Sequence, residues 1–159
     1  MKRKKTGFLA LMLALAFSVA FLSAAWDARA VLGGSVDSVS KDMSALKATR
    51  SQVTTLPGYS VHEIASGALT LREYVSSDGI VFGIAWDGPL SPNLSYLLGS
   101  YYSQYHEARR QMPPSHGKKS MRVQANDVVV EKWGHMRSMH GRAYVPSLLP
   151  AGVNPDAVR

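Results

Sequence analysis

Three Ser-x-x-Lys arrangements lie along the chain, at Ser38 to Lys41, Ser44 to Lys47 and Ser115 to Lys118. A lysine beside a serine can activate the hydroxyl as a nucleophile, but that chemistry needs companion motifs. The only Lys-Thr-Gly is Lys5-Thr6-Gly7, near the start, and no Ser-Asp-Asn occurs. Between Val36 and Arg50 a Ser and a Lys three apart are also plain neighbours on a solvated helix face. Neither a Gly-x-Ser-x-Gly elbow nor a Walker loop is present. A Ser-His-Asp triad is recognised by geometry and not by spacing, so the sequence singles none out. No catalytic residue is assigned.

The five histidines, His62, His106, His116, His135 and His140, form no metal motif. Zinc needs three or four converging ligands, and His135 and His140 would fall on opposite faces of a continuous strand. Cysteine is absent, which removes thiol catalysis, thiolate metal sites and any disulfide framework. No metal and no cofactor are expected.

Two groups suggest binding. Arg109, Arg110, His116, Lys118, Lys119 and Arg122 make the one dense basic run. It reads either as a solvated loop or as a contact for an anionic partner, held by charge and screened by salt; the candidate contacts are Arg109, Arg110, Lys118, Lys119 and Arg122. Trp86 and Tyr102, with Tyr101 and Tyr105, read either as core or as an aromatic contact for a ligand, with core the expected role because such rings bury large areas.

The chain's ends set where such a contact would operate. Lys2 to Lys5 are basic, Phe8 to Trp26 is apolar apart from Ser18 and Ser23, and Ala28-Arg29-Ala30 puts small residues where a signal peptidase reads. Residues 1–30 are expected to be a signal peptide cut after Ala30, with 31–159 as the exported domain, periplasmic or secreted. The alternative is an uncleaved inner-membrane anchor, since about 20 apolar residues span a bilayer. The whole chain has 18 Lys and Arg against 11 Asp and Glu; the leader takes five and one of these, leaving 13 against 10, a net +3. Nucleic-acid binding thereby loses its main support. No second long apolar run follows, so no transmembrane segment is expected after cleavage.

The elements that must position these residues follow from periodicity. Val36, Val39, Met43 and Leu46 recur at helical spacing, with Lys41, Asp42, Lys47 and Arg50 on the far side. Three strands are expected next: Tyr59 to Ser66, Ala68 to Ser76 and Ile80 to Asp87, turned at Ser66-Gly67 and Ser77-Asp78-Gly79. In the third, Ile80, Phe82, Ile84 and Trp86 share one face, and the lack of charge on both faces places it inside a sheet. Ser91-Pro92 reads as the N-cap and first turn of a second helix, with Leu94, Leu97, Leu98, Tyr101 and Tyr105 on its buried side and an end before Met112-Pro113. Three more strands are expected: Met121 to Ala125, Val128 to Trp133 and Met136 to Val145, with turns at Asn126-Asp127 and Gly134-His135 and a possible bulge at Gly141. Prolines 146, 150 and 155 make the tail from about residue 146 irregular. The fold class is α+β: an antiparallel sheet of about six strands packed with two helices, in the order α-βββ-α-βββ, as one domain.

Several separated stretches carry a resemblance: Leu32-Gly33-Gly34; REYVSSDGIVFGIAWDGP at 72–89; Leu94 with Leu97-Leu98-Gly99; Gly141 to Pro146; and Leu149 to Val153. Together they resemble the exported proteobacterial family known as domain of unknown function 2844. The resemblance implies a small exported one-domain protein and carries over no catalytic residues. The expected function is a non-catalytic binding or interaction domain of the cell envelope, with an unknown envelope partner, an anionic one if the basic run is the contact. The alternatives are a small periplasmic hydrolase with an Asp, Glu or His site, and a structural or assembly accessory. A cleft with convergent, perturbed carboxylates would favour the enzyme; an exposed basic or apolar patch would favour binding.

Overall fold

The computed structural model describes residues 32–36, 50–113 and 120–159. Seven antiparallel strands form a single sheet: β1 (Arg50–Leu56), β2 (Tyr59–Ser66), β3 (Leu69–Ser76), β4 (Val81–Gly88), β5 (Ser120–Gln124), β6 (Val129–His135) and β7 (Ser138–Tyr144). Their spatial order is β1-β2-β3-β4-β7-β6-β5. Two meanders therefore meet at the β4–β7 pair in the middle. Between them, α1 (Leu94–Leu98), a 3-10 turn (Gly99–Tyr101) and α2 (Tyr102–Gln111) run on as one helical segment of 18 residues.

The expected six strands and two helices are corrected to seven strands and this one interrupted helix among the described residues. The added strand is β1. Its β-branched Val53, Thr54 and Thr55 suit an extended edge, but every residue from Ser51 to Leu56 is exposed, so it lacks the apolar alternation that marks a half-buried strand. Pro57-Gly58 is then a hairpin turn, with Leu56 paired to Tyr59. Most of the helix expected from Val36 to Arg50 lies outside the described residues. Of its ends, Arg50 opens β1, and the Val36 N–H donates to the Gly79 carbonyl.

Helix α1 starts two residues later than Ser91-Pro92 suggested. Asn93 is its N-cap, accepting from the Ser95 N–H at 3.0 Å and so satisfying one of the helix's orphan donors. Leu94, Leu97, Leu98 and Tyr105 are buried against the sheet, as their spacing requires. The helical segment ends at Gln111, with Met112 extended before Pro113.

The central strand β4 departs from strict alternation. Tyr74 pairs with Gly83 but Val75 with Val81, so a bulge falls at Phe82. A bulge offsets the side-chain period. Ile84 and Trp86 pack with Leu71, Leu94, Leu97 and Leu98 on the helix side, whereas Phe82 packs with Tyr74, Ala85, Tyr144 and Val158 on the other. The expected face shared by Ile80, Phe82, Ile84 and Trp86 is corrected accordingly. The shift is energetically substantial, since fully burying such a side chain is worth about 1.5–3 kcal/mol. It gives the second face a core of its own, closed by the tail: Val158 is fully buried and its Cγ2 lies 2.8 Å from where a Cβ on Gly83 would be.

The second meander also differs in detail. The β6–β7 turn is Met136-Arg137, because Gly134 and His135 are still paired with Met139 and Ser138. Gly141 keeps continuous register with both Trp86 and Lys132 and is not a bulge. It is a notch: a Cβ there would lie 2.1 Å from Cζ2 of Trp86.

Candidate functional site

Register places polar residues in rows on the tail side of the sheet. Thr70, Asp87, His140 and Trp133 cross β3, β4, β7 and β6 in one row, and Glu63, Arg72, Ala85, Arg142, Glu131 and Arg122 form the next across six strands. Arg72 is the hinge of the first half, donating to Glu63 at 3.0 Å and to Asp87 at 2.5 Å. Asp87 also bonds Nδ1 of His140, and the His140 ring stacks on Trp133 with centroids 6.1 Å apart. In the second half Glu131 receives Arg142 at 2.5 Å and Arg122 at 2.8 Å.

This chain of bonds decides the charge state of Asp87. Burial pushes its carboxyl up, but the hydrogen bonds from His140 and Arg72 and the Arg72 charge outweigh burial and hold it below the ordinary carboxylate range. A carboxylate with a depressed folded pKa contributes stability above its unfolded value of about 3.9 and loses it as pH falls through the folded value. Asp87→Asn is therefore expected to remove part of the stability gained between acid pH and about pH 5. Urea melts across that range check it: a wild-type pH slope unchanged in the variant would mean that Asp87 carries no such linkage.

On the helix side, α2 is fastened over β5 and β6. Gln104 Nε2 donates to Asp127 at 3.0 Å, and the Asp127 N–H donates back to Gln104 Oε1 at 3.3 Å. Beyond this clamp a depression opens between α2, β5 and β6. Its lining includes Ser91, Tyr105, Arg109, Ser120, Lys132 and Trp133. Arg109 lies in the last turn of α2, where the helix dipole favours a cation. Lys132 is half-buried. Its pKa is lowered, first by burial and then by the like charge of Arg109. Among the described residues neither cation has a carboxylate partner. Two adjacent unpaired cations, one partly desolvated, are costly until an anion joins them.

The basic run is thus sorted by the fold. Arg109 faces the depression. Arg110 is exposed and pairs with Glu107 at 3.9 Å. Arg122 is on the opposite face of β5, bound to Glu131. Lys118 and Lys119 lie outside the described residues, as do His116, Ala28 and Ala30. Trp86 is 1% exposed, in the core. Tyr102 is half-buried, tilted against Tyr105 and His106. Sequence reasoning missed Lys132, Asp87 and Arg72 as site residues. Lys132 had one available signal: it follows Val128 and Val130 at strand spacing, a cation on an otherwise apolar face.

Residues 28–158 match the family described as Protein of unknown function (DUF2844). The chain belongs to this family. The matched span ends at Val158, the residue that seals Gly83, so the family's domain includes the tail that closes the second face of the sheet. No curated protein and no solved structure matches. No helix among the described residues is long and apolar enough to cross a membrane.

Proposed function

We propose that this DUF2844 chain is an exported cell-envelope domain that binds an anionic partner in the depression between α2, β5 and β6. The observation that carries the reading is the pairing of Arg109 with Lys132 in one depression, with no carboxylate paired to either among the described residues. A phosphate or carboxylate group there would offset the burial and, after it, the Arg109 charge that together lower the Lys132 pKa. The hydroxyls of Ser91 and Tyr105 in the lining supply neutral donors, and Met121 and Met139, on the same face of the sheet as Lys132, supply apolar walls. Export rests on the basic start, the apolar run and Ala28-Arg29-Ala30.

Co-sedimentation of the full chain with phosphatidylglycerol and with phosphatidylcholine vesicles tests the proposal. Binding to the anionic vesicles is expected at low salt, with loss as salt rises, because exposed charges are screened over roughly 8–10 Å near physiological ionic strength. Reversing both Arg109 and Lys132 to Glu should weaken it at least about tenfold, at about 1 kcal/mol per basic residue near an anionic surface. Arg110→Glu, on the same helix but outside the depression, should bind like wild type. Salt-independent binding to both vesicles, or equal loss in the Arg110 variant, would sink the proposal for lipid phosphate.

A further inference from the structure

A second constellation lies across β7 from the cation pair, and it does not depend on that pair. Oγ of Ser138 is 3.1 Å from Nε2 of His140, and Nδ1 of the same ring bonds Oδ1 of Asp87. Asp87 is in turn fixed by Arg72 at 2.5 Å. The order hydroxyl, imidazole, carboxylate, orienting cation is that of an acyl-transfer relay, in which the carboxylate holds the imidazole tautomer that can accept the hydroxyl proton. All three groups line one open, shallow depression of about 370 Å³, with Thr70, Gly88 and Arg137 among its other walls.

We infer that Ser138, His140 and Asp87 form a hydrolytic site for short O-acyl esters carried on a larger molecule. The openness of the depression selects this class, because a shallow surface admits a small acyl group while leaving its carrier in solvent. Ser138 Oγ bonds to the ester carbonyl carbon as its proton passes to His140 Nε2. The carbon–alkoxy bond then breaks, and His140 returns the proton to the leaving alcohol. Water repeats the sequence on the acyl-serine, releasing the carboxylic acid and restoring Ser138, with no oxidant or reductant required. Arg137, beside the nucleophile and in the same lining, is the cation nearest in sequence for the developing oxyanion. Its φ of 68° makes it the only described non-glycine residue in the left-handed region, a strained conformation of the kind that clusters at functional sites.

The chain carries its own control. Ser60 and His62 repeat the same spacing, with Oγ 3.3 Å from Nε2, but no carboxylate hydrogen-bonds the His62 ring among the described residues. Ser60 should therefore be inert.

The test is labelling of the full chain with a fluorophosphonate probe, with peptide mapping, alongside hydrolysis of p-nitrophenyl acetate. Modification at Ser138 and not at Ser60 is expected. Ser138→Ala should abolish labelling and hydrolysis, and Ser60→Ala should keep both. Asp87→Asn should lower hydrolysis by at least about 100-fold, by analogy with loss of the orienting carboxylate in a serine protease. Circular dichroism melts establish that each variant is folded. Folded wild type that is unlabelled at Ser138, or hydrolysis that persists in Ser138→Ala, overturns the inference. Neither outcome bears on vesicle binding, which is tested at Arg109 and Lys132.

Discussion

Trp86→Ala is expected to cost the domain about 3–5 kcal/mol, the usual range for emptying a buried aromatic site. Total stability of a small domain is about 5–15 kcal/mol, so the melting temperature should fall on the order of 10 °C or more. The reason is position. Trp86 is 1% exposed on the central strand β4, in the cluster formed with the helical leucines, and its six-membered ring fills the space left by Gly141 on β7. Two further variants separate packing from chemistry. The indole N–H has no hydrogen-bond partner among the described residues, and an orphan buried donor costs about 1–3 kcal/mol. Trp86→Phe removes that donor while keeping a ring, so it should cost clearly less than alanine. Gly141→Ala pushes a methyl to within 2.1 Å of the ring and 2.9 Å of the Glu131 carbonyl. It should destabilise by about 1–3 kcal/mol as overpacking, and by less when Trp86 is already alanine. Thermal melts of the four proteins and the double variant settle this. An unchanged melting temperature in Trp86→Ala would place the ring outside the core.

What the sequence could reveal follows from which signals are local. The helix from Leu94 was legible because Leu94, Leu97, Leu98 and Tyr105 repeat at one helical spacing. The hairpin at Ser77-Asp78-Gly79 was legible because turn residues separate two apolar runs. β1 was not, because an exposed edge strand has no buried alternation to display. The bulge at Phe82 was not, because both faces of β4 are apolar, and a slipped register leaves the pattern unchanged. The polar site was least legible. Asp87 and His140 are 53 residues apart, and only the β4–β7 pairing makes them neighbours. The basic run misled in the opposite sense: Arg109, Arg110 and Arg122 are near in sequence, yet alternation along β5 puts Arg122 beside Glu131 on the other face of the sheet.

Arg142 should prove the most sensitive charged residue. Its side chain is 14% exposed, as is that of Glu131, which it meets at 2.5 Å. The other guanidinium nitrogens reach the tail: Nη1 donates to the carbonyls of Pro155 and Val158, each at 3.2 Å, and Nη2 to Asp156 at 3.1 Å. Losing one partner of a buried ion pair typically costs about 3–5 kcal/mol. Glu131 would keep Arg122 at 2.8 Å, but that arginine is 57% exposed and its contribution is small. Arg142→Ala is therefore expected near the lower end, about 3 kcal/mol. Arg142→Lys should recover little, because a lysine ammonium is a point donor and cannot span Glu131 and three tail acceptors as the planar fork does. The decisive measurement is hydrogen exchange of the Ala157 and Val158 amides, which donate to Asn154 and Pro155 in the tail's last turn. Loss of Arg142 frees that turn, and Val158 then leaves Gly83 uncovered. Faster exchange at those two amides in Arg142→Lys, with the β2–β3 amides still protected, is the expected pattern. Wild-type exchange in the tail would mean that Val158 and the Tyr74 hydroxyl, which bonds the Arg159 carbonyl at 2.5 Å, hold the tail without the guanidinium.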